Sequence, residues 1–330
     1  MKKKTTAIKL SILAVLLLGI FLCSFALGRY PVALRDVVAT FFGYEGDTTA
    51  ATVVLQIRLP RILLACLVGA ALSAAGTAYQ GVFQNPMAAP DILGASSGAA
   101  FGAALAILMG LHRQGITLLA FCGSLLAVLL AYLVGQRAKG RKVVNLILAG
   151  VMISSLFSAG TSYLKLVADP ASQLPEITYW LMGSLAGVRL PEIGMMLISV
   201  ILALVPLLLI GWRINVLTFG DEEARTMGVN ASRVRLVVII CATLLTAASV
   251  SFSGMIGWVG LVIPHLCRRF VGNDYRHLLP ASLLMGAAFL LLVDNLSRNL
   301  LATEIPIGIL TAFVGAPFFI YLMLGEERFT

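Results

Sequence analysis

Apolar runs long enough to cross a bilayer recur from one end of this 330-residue chain to the other. A spanning helix needs about 20 mostly apolar residues to cross roughly 30 Å of hydrocarbon. Water could not solvate so many such runs in series, so the chain is expected to be all-α: a polytopic transmembrane helical bundle. Composition agrees, with 59% hydrophobic and 12% charged residues, where a soluble domain carries about 25% charged. Hydropathy places about ten spans, at 8–28, 60–82, 91–110, 115–136, 143–166, 191–211, 233–253, 256–271, 278–297 and 306–324. The eighth is short and expected to be irregular. The run from Ile8 to Leu27 follows Lys2, Lys3 and Lys4 as in a signal peptide, but it has no clear small-x-small cleavage site. It is expected to be a retained first helix.

The net charge of +9 does not point to nucleic acid, because the basic residues punctuate the apolar runs instead of gathering on one soluble face. With the N-terminus inside, Lys2, Lys3, Lys4, Lys9, Arg137, Lys139, Arg141, Lys142, Arg213, Arg225, Arg233, Arg235, Arg268, Arg269, Arg276 and Arg328 fall on the cytoplasmic side. Only Arg29, Arg35, Arg58, Arg61, Arg113, Lys165, Arg189 and Arg298 fall outside. This asymmetry satisfies the positive-inside rule and is violated if the chain is reversed. Both termini are expected to be cytoplasmic, in a multi-pass protein of the bacterial cytoplasmic (inner) membrane with lipid around it. No linker or low-complexity block interrupts the series, so residues 1–330 read as a single transmembrane domain.

Catalytic chemistry finds no foothold. Cys23, Cys66, Cys122, Cys241 and Cys267 stand singly, without a CxxC pair. His112, His265 and His277 lack HxxxH or HExxH spacing. No metal site and no nucleophile with its base is expected, so the chain is not expected to be an enzyme. Nothing matches GxxxxGK[ST], and there is no Gly-Lys dipeptide, so any ATP is hydrolysed elsewhere.

Small residues recur at every fourth position in two runs: Gly69, Ser73, Thr77 and Gly81, then Gly94, Gly98, Gly102, Ala106 and Gly110. Such ridges let backbones approach where lipid supplies no hydrophobic drive for helix association, so the second and third helices are expected to be buried centrally. Asn85-Pro86-Met87 reads as a turn closing the second span, since proline pushes the residue before it out of helical geometry. Between the sixth and seventh spans, residues 217–229 hold Asp221, Glu222, Glu223 and Arg225 too densely for a membrane interior. A short surface helix is expected there, with Asp221 capping its start. Arg58, Arg61 and Arg298 sit at span ends on the outer side and are expected to face outward. Asp294 and Glu304, near an outer helix boundary, are expected to pair with Arg298 or to lie at the interface.

Several motifs follow one another in a family order: Arg58-Leu59-Pro60-Arg61, Gly69-Ala70-Ala71-Leu72, Gln80, Asn85-Pro86-Met87-Ala88 with Pro90, and Leu148 to Val151. Gly220 to Ala224 with Met227-Gly228-Val229, Gly257 to His265, Asp274 with Arg276, Leu278-Leu279-Pro280, Asp294, Arg298, Glu304 and Gly308 to Phe318 continue the series. From Arg58 onward the chain resembles the FecCD-type permeases, the membrane subunits of ATP-binding-cassette importers for iron siderophores, haem and cobalamin.

The resemblance implies ten helices per subunit and a homodimer with a second permease subunit around a central path. It also implies two cytoplasmic ATPase subunits and an extracellular or periplasmic substrate-binding protein. Cofactors are then none on this chain, with ATP and Mg on the partner ATPase. Arg58, Arg61 and Arg298 match the arginines that dock the binding protein. Asn85, Pro86 and Met87 match the cytoplasmic gate. Leu217, Gly220, Asp221, Glu222, Glu223, Ala224, Met227 and Gly228 match the helix that couples to the ATPase. Phe219 and Met227 depart from the pattern, standing where leucines are common, and the interval from Arg298 to Glu304 is a residue shorter and lacks a familiar proline. Gly69, Ser73, Thr77, Gly94, Gly98 and Gly102 are helix-packing positions near the path. The implied cargo is a ferric siderophore or other iron complex, with cobalamin or haem as alternatives. An ion-coupled secondary transporter is the rival reading, and it would call for intramembrane carboxylates or interrupted helices related by an inverted repeat.

Overall fold

A computed structural model describes residues 2–42 and 48–325; Arg328, one of the expected inner cations, lies outside the described residues. In chain order the helices are α1 (Lys2–Ala26), α2 (Leu34–Phe42), α3 (Thr48–Thr52), α4 (Leu59–Val82), α5 (Ala95–Leu108), α6 (Arg113–Arg137), α7 (Lys142–Val167) and α8 (Gln173–Met182). They continue with α9 (Leu190–Leu209), α10 (Gly211–Leu217), α11 (Asp221–Thr226), α12 (Ala231–Ser253), α13 (Val259–Val271), α14 (Tyr275–Asn299) and α15 (Ile307–Gly325). Among the described residues there is no strand. Each expected span coincides with a helix, and among the described residues seven helices are long and apolar enough to cross a bilayer.

The second span begins earlier than hydropathy places it. A π-helical turn, Val53–Arg58, joins α3 to α4, so helix runs without a break from Thr48 to Val82. Pro60 at the start of α4 has no N–H to donate, and the widened turn lies just before it. Hydropathy misses α2, α8 and α10 because they are short.

Helices α4, α12 and α14 are mostly buried, whereas α1, α7 and α9 present apolar side chains outward, as lipid-facing helices do. The centre is an antiparallel pair: Arg61 of α4 meets Asp294 of α14 at one end, and Gly81 approaches Tyr275 at the other. Between them the backbones nearly touch, since a Cβ on Gly69 would stand 2.2 Å from the Gly286 carbonyl oxygen. The ridge of α4 therefore packs on α14. Ser73 and Thr77 lie in it, both buried, and the Thr77 hydroxyl donates to the Ser73 carbonyl at 2.8 Å.

The third helix corrects two expectations. It is largely buried, but in a second cluster of its own with α6, where Gly98 approaches the Gly123 carbonyl and Gly102 that of Leu119. Gly94 is no part of that ridge; it is the residue before α5, held at φ 87°, where a side chain would strain the backbone. The span starts at Ala95 and not at 91, because residues 83–94 form a loop that turns back into the protein.

Helix α13 is likewise a partial span of 13 residues. Its start, just after Trp258 at φ 70°, reaches the flank of α4: a Cβ on Gly76 would stand 2.0 Å from the Gly260 carbonyl oxygen, and Pro90 packs against Gly260. Two interrupted helices thus begin inside the bundle. Non-helical backbone at that depth is tolerated where it is buried in protein or lines a cavity.

Candidate functional site

The candidate residues gather at two ends of the bundle. At the first, the expectation that three cations face outward does not hold. Arg58, Arg61 and Arg298 are all buried. Arg58 donates to the backbone carbonyls of Phe25 and Tyr30, tying α1 to the start of α4. Arg61 donates to Asp294 Oδ1 at 2.8 Å and to both Glu304 carboxylate oxygens at 2.9 Å. Arg298 lies 3.1 Å from Asp294 Oδ2. Asp294 has no exposed side-chain surface, so two guanidiniums and two carboxylates form one charge-balanced cluster. The physical reason is solvation: a guanidinium at the edge of hydrocarbon is stabilised by a carboxylate that α14 brings within reach. Glu304 is the more exposed acid of the two.

At the opposite end, α4 finishes in a Schellman cap. The Asn85 N–H reaches the Gln80 carbonyl and the Gln84 N–H that of Gly81, with Gln84 at φ 51° where glycine is usual. Helix therefore ends at Val82, before proline could act, and Pro86 shapes the turn instead. Asn85 Oδ1 accepts from the Met87 N–H at 2.9 Å, and Met87 is exposed.

The segment around α11 is the short surface helix expected, with one difference. Gly220, at φ 122°, precedes the helix, and Asp221 makes no cap. Asp221 instead pairs with Arg235 of α12 at 2.7 Å, a guanidinium that is almost wholly buried. Leu217 and Ala224 are also buried, while Glu222, Glu223 and Gly228 are exposed, as are the apolar Phe219 (68%) and Met227 (58%). Ala224 therefore holds α11 to the body, and any partner meets Phe219, Met227 and the acidic face.

Three polar ties bind this segment to the central helices. Gln84 Nε2 donates to the Leu217 carbonyl at 2.5 Å, directly linking the Asn85 turn to the α11 segment. Arg235 supplies the second. Asn215 supplies the third, donating to Asp274 Oδ1 at 2.7 Å and accepting from the Tyr275 N–H at 2.8 Å. The Arg276 side chain and then Asn215 hold the Asp274 carboxyl well below the usual carboxylate range. Sequence reading missed Gln84 and Arg235; a glutamine where a helix C-cap favours glycine was the available signal for the first.

Between the two ends lies an open cavity of about 830 Å³, lined by Leu72, Asp91, Ser96, Thr246, Trp258 and Phe313 among others. Asp91 was also missed, having been counted into a regular third span. Among the described residues no His, Cys, Asp or Glu group could hold a metal ion, and the five cysteines are free.

The model of the FecCD transport family matches residues 15–325. The chain belongs to that family. It is 40% identical over 323 residues to the molybdate import system permease protein MolB of Haemophilus influenzae, covering 96% of this chain and 95% of the relative. With the cobalamin import system permease protein BtuC of Halobacterium salinarum it shares 43% over 296 residues, 89% of this chain and 79% of that one. Further relatives are named as iron-chelate permeases. A solved transporter described as metal-chelate type, in an inward-facing conformation, superposes with a TM-score of 0.88 at 39% identity, covering 96% of this chain and 98% of that one. This FecCD member is thus a multi-pass inner-membrane permease subunit of an ATP-binding-cassette transporter. Two interrupted helices do occur, but the secondary-transporter reading called for such helices related by an inverted repeat, and family membership decides against it.

Proposed function

We propose that two copies of this chain enclose the path of an importer for a ferric siderophore or another iron complex, fed by a binding protein and driven by two ATPase subunits that hold ATP and Mg. Cobalamin or haem is the second reading, the former supported by the archaeal relative's name. A C2 dimer lets a subunit too small to enclose a wide path build one at its interface. The observation that carries the mechanism is the Gln84–Leu217 hydrogen bond, which joins the candidate gate turn at Asn85, Pro86 and Met87 to the candidate coupling segment. ATP binding and hydrolysis move the segment through Phe219 and Met227, and Gln84 and Arg235 carry that movement into α4 and α12. The partners thereby stabilise inward-open and outward-open states differentially. The arginine end receives the binding protein, with Arg61 as the cation that a partner carboxylate would reach by displacing the exposed Glu304, while Arg58 and Arg298, tied to Phe25, Tyr30 and Asp294, hold that end in shape. Complementary charge of this kind sets docking orientation and encounter rate.

Uptake of radiolabelled ferric siderophore, haem iron and cobalamin, compared with and without the gene and with an ATPase-dead partner, tests this reading. Loss of ATP-dependent uptake of one chelate identifies the cargo, and undiminished uptake of all three rejects these cargoes.

Two variants test the coupling route. Phe219→Asp with Met227→Asp is expected to lower ATPase co-purification at least tenfold, about 1.4 kcal/mol, with the permease's own folded yield unchanged because both side chains are exposed. Gln84→Gly suits the positive φ yet removes the tie. Reconstituted transport per ATP hydrolysed is expected to fall by roughly tenfold, the worth of one well-made hydrogen bond, without loss of thermal stability. Full coupling in Gln84→Gly would remove that residue from the route.

A further inference from the structure

The Asp91 carboxylate is open to the cavity. Leu72, near the middle of α4, shares that lining, so the carboxylate stands well inside the bundle. Among the described residues no ion pair includes it, and none of the residues lining the cavity is a cation. An ionisable group at membrane depth is expensive to keep and marks a substrate or ion pathway. The same cavity receives the starts of α5 and α13, through Ser96 and Gly260. Each helix N-terminus carries about half a positive charge and would otherwise make the cavity attractive to anions. One carboxylate offsets two such ends. The Thr246 hydroxyl, which donates to the Ala242 carbonyl at 2.8 Å, also comes within 3.3 Å of the Pro90 carbonyl, so α12 packs against the loop that carries Asp91.

We propose that Asp91 sets the charge selectivity of the path, cancelling the positive ends of α5 and α13 so that the cavity admits neutral or cationic metal chelates and rejects small oxyanions. The inference rests on the reading that this cavity lies on the transport path. It separates this chain from what the name of its Haemophilus relative would suggest, because molybdate is a small dianion.

The test is charge-selective thiol labelling of the full-length permease in nanodiscs, with the five native cysteines replaced by alanine and a probe cysteine introduced as Ser96→Cys. A second probe, Ala312→Cys, lines the same cavity from α15 and serves if the first fails to fold. Rates are measured with cationic and anionic methanethiosulfonates of similar size. Removing one charge at this range is worth about tenfold in relative rate, so Asp91→Asn is expected to shift the cation-to-anion ratio about tenfold toward the anion. An unchanged ratio overturns the proposal, and so does failure of the cationic reagent to reach both probes. Competition of Ser96→Cys labelling by molybdate, absent in the parent and gained in Asp91→Asn, would support it. If uptake of every chelate proves independent of the gene while the labelling shift holds, the cargo assignment fails and the charge selectivity of the cavity stands.

Discussion

Asp294→Ala is expected to be among the most destabilising single substitutions in this protein. It leaves Arg61 and Arg298 buried, each 8% exposed at the side chain, with Glu304 as the one remaining acid of the cluster. Removing one partner of a buried pair costs about 3–5 kcal/mol, because the surviving charge has lost both water and its counter-charge. The expected readout is a large drop in thermal midpoint and in monodisperse yield in detergent. Asp294→Leu combined with Arg298→Met removes opposite charges together and is expected to recover much of that loss, since charge balance is restored and the replacements pack. If the double variant is no better than the single, or the single lies within about 0.5 kcal/mol of the parent, the cluster is not the structural tie described here.

Gly76→Val is expected to separate α4 from the start of α13. Its Cβ would stand 2.0 Å from the Gly260 carbonyl oxygen, and no rotamer relieves a collision between Cβ and backbone. Overpacking typically costs about 1–3 kcal/mol when side chains can move; with two backbones opposed, the upper end or beyond is expected. Because α13 leads into Phe270 and the turn before Asp274, the shift also reaches the α10–α14 ties, and transport should be lost with stability. Gly19→Val is the matched control, since nothing lies within 4 Å of a Cβ there. Equal folded yields for the two variants would refute the packing.

The difference between those two glycines shows what could be read from the chain and what could not. Helix existence was legible because the demand to satisfy every backbone group in hydrocarbon acts locally, on runs of about 20 residues. The ridge Gly69, Ser73 and Thr77 was legible as a packing face by its spacing. That it faces Gly286, while Gly76 on the adjoining face meets Gly260, was not. The surface helix near Asp221 was legible from its charge density, but the choice between capping and pairing with Arg235 depended on where α12 lies. Ala224 looked like a docking residue and is a packing one, for the same reason.

By itself the sequence determined a multi-pass membrane bundle, a family order of motifs, and the positions of the Asn85 turn and the α11 segment. Those follow from hydropathy, proline and glycine, and charge density, all properties of neighbouring residues. Only the tertiary structure decided that Arg58, Arg61 and Arg298 are buried, that Gln84 ties the Asn85 turn to the α11 segment, and that Asp91 faces a cavity. Arg61 and Asp294 are 233 residues apart in the chain, and electrostatic pairing acts through space, so no local pattern could reveal which charge would be neutralised and which left open.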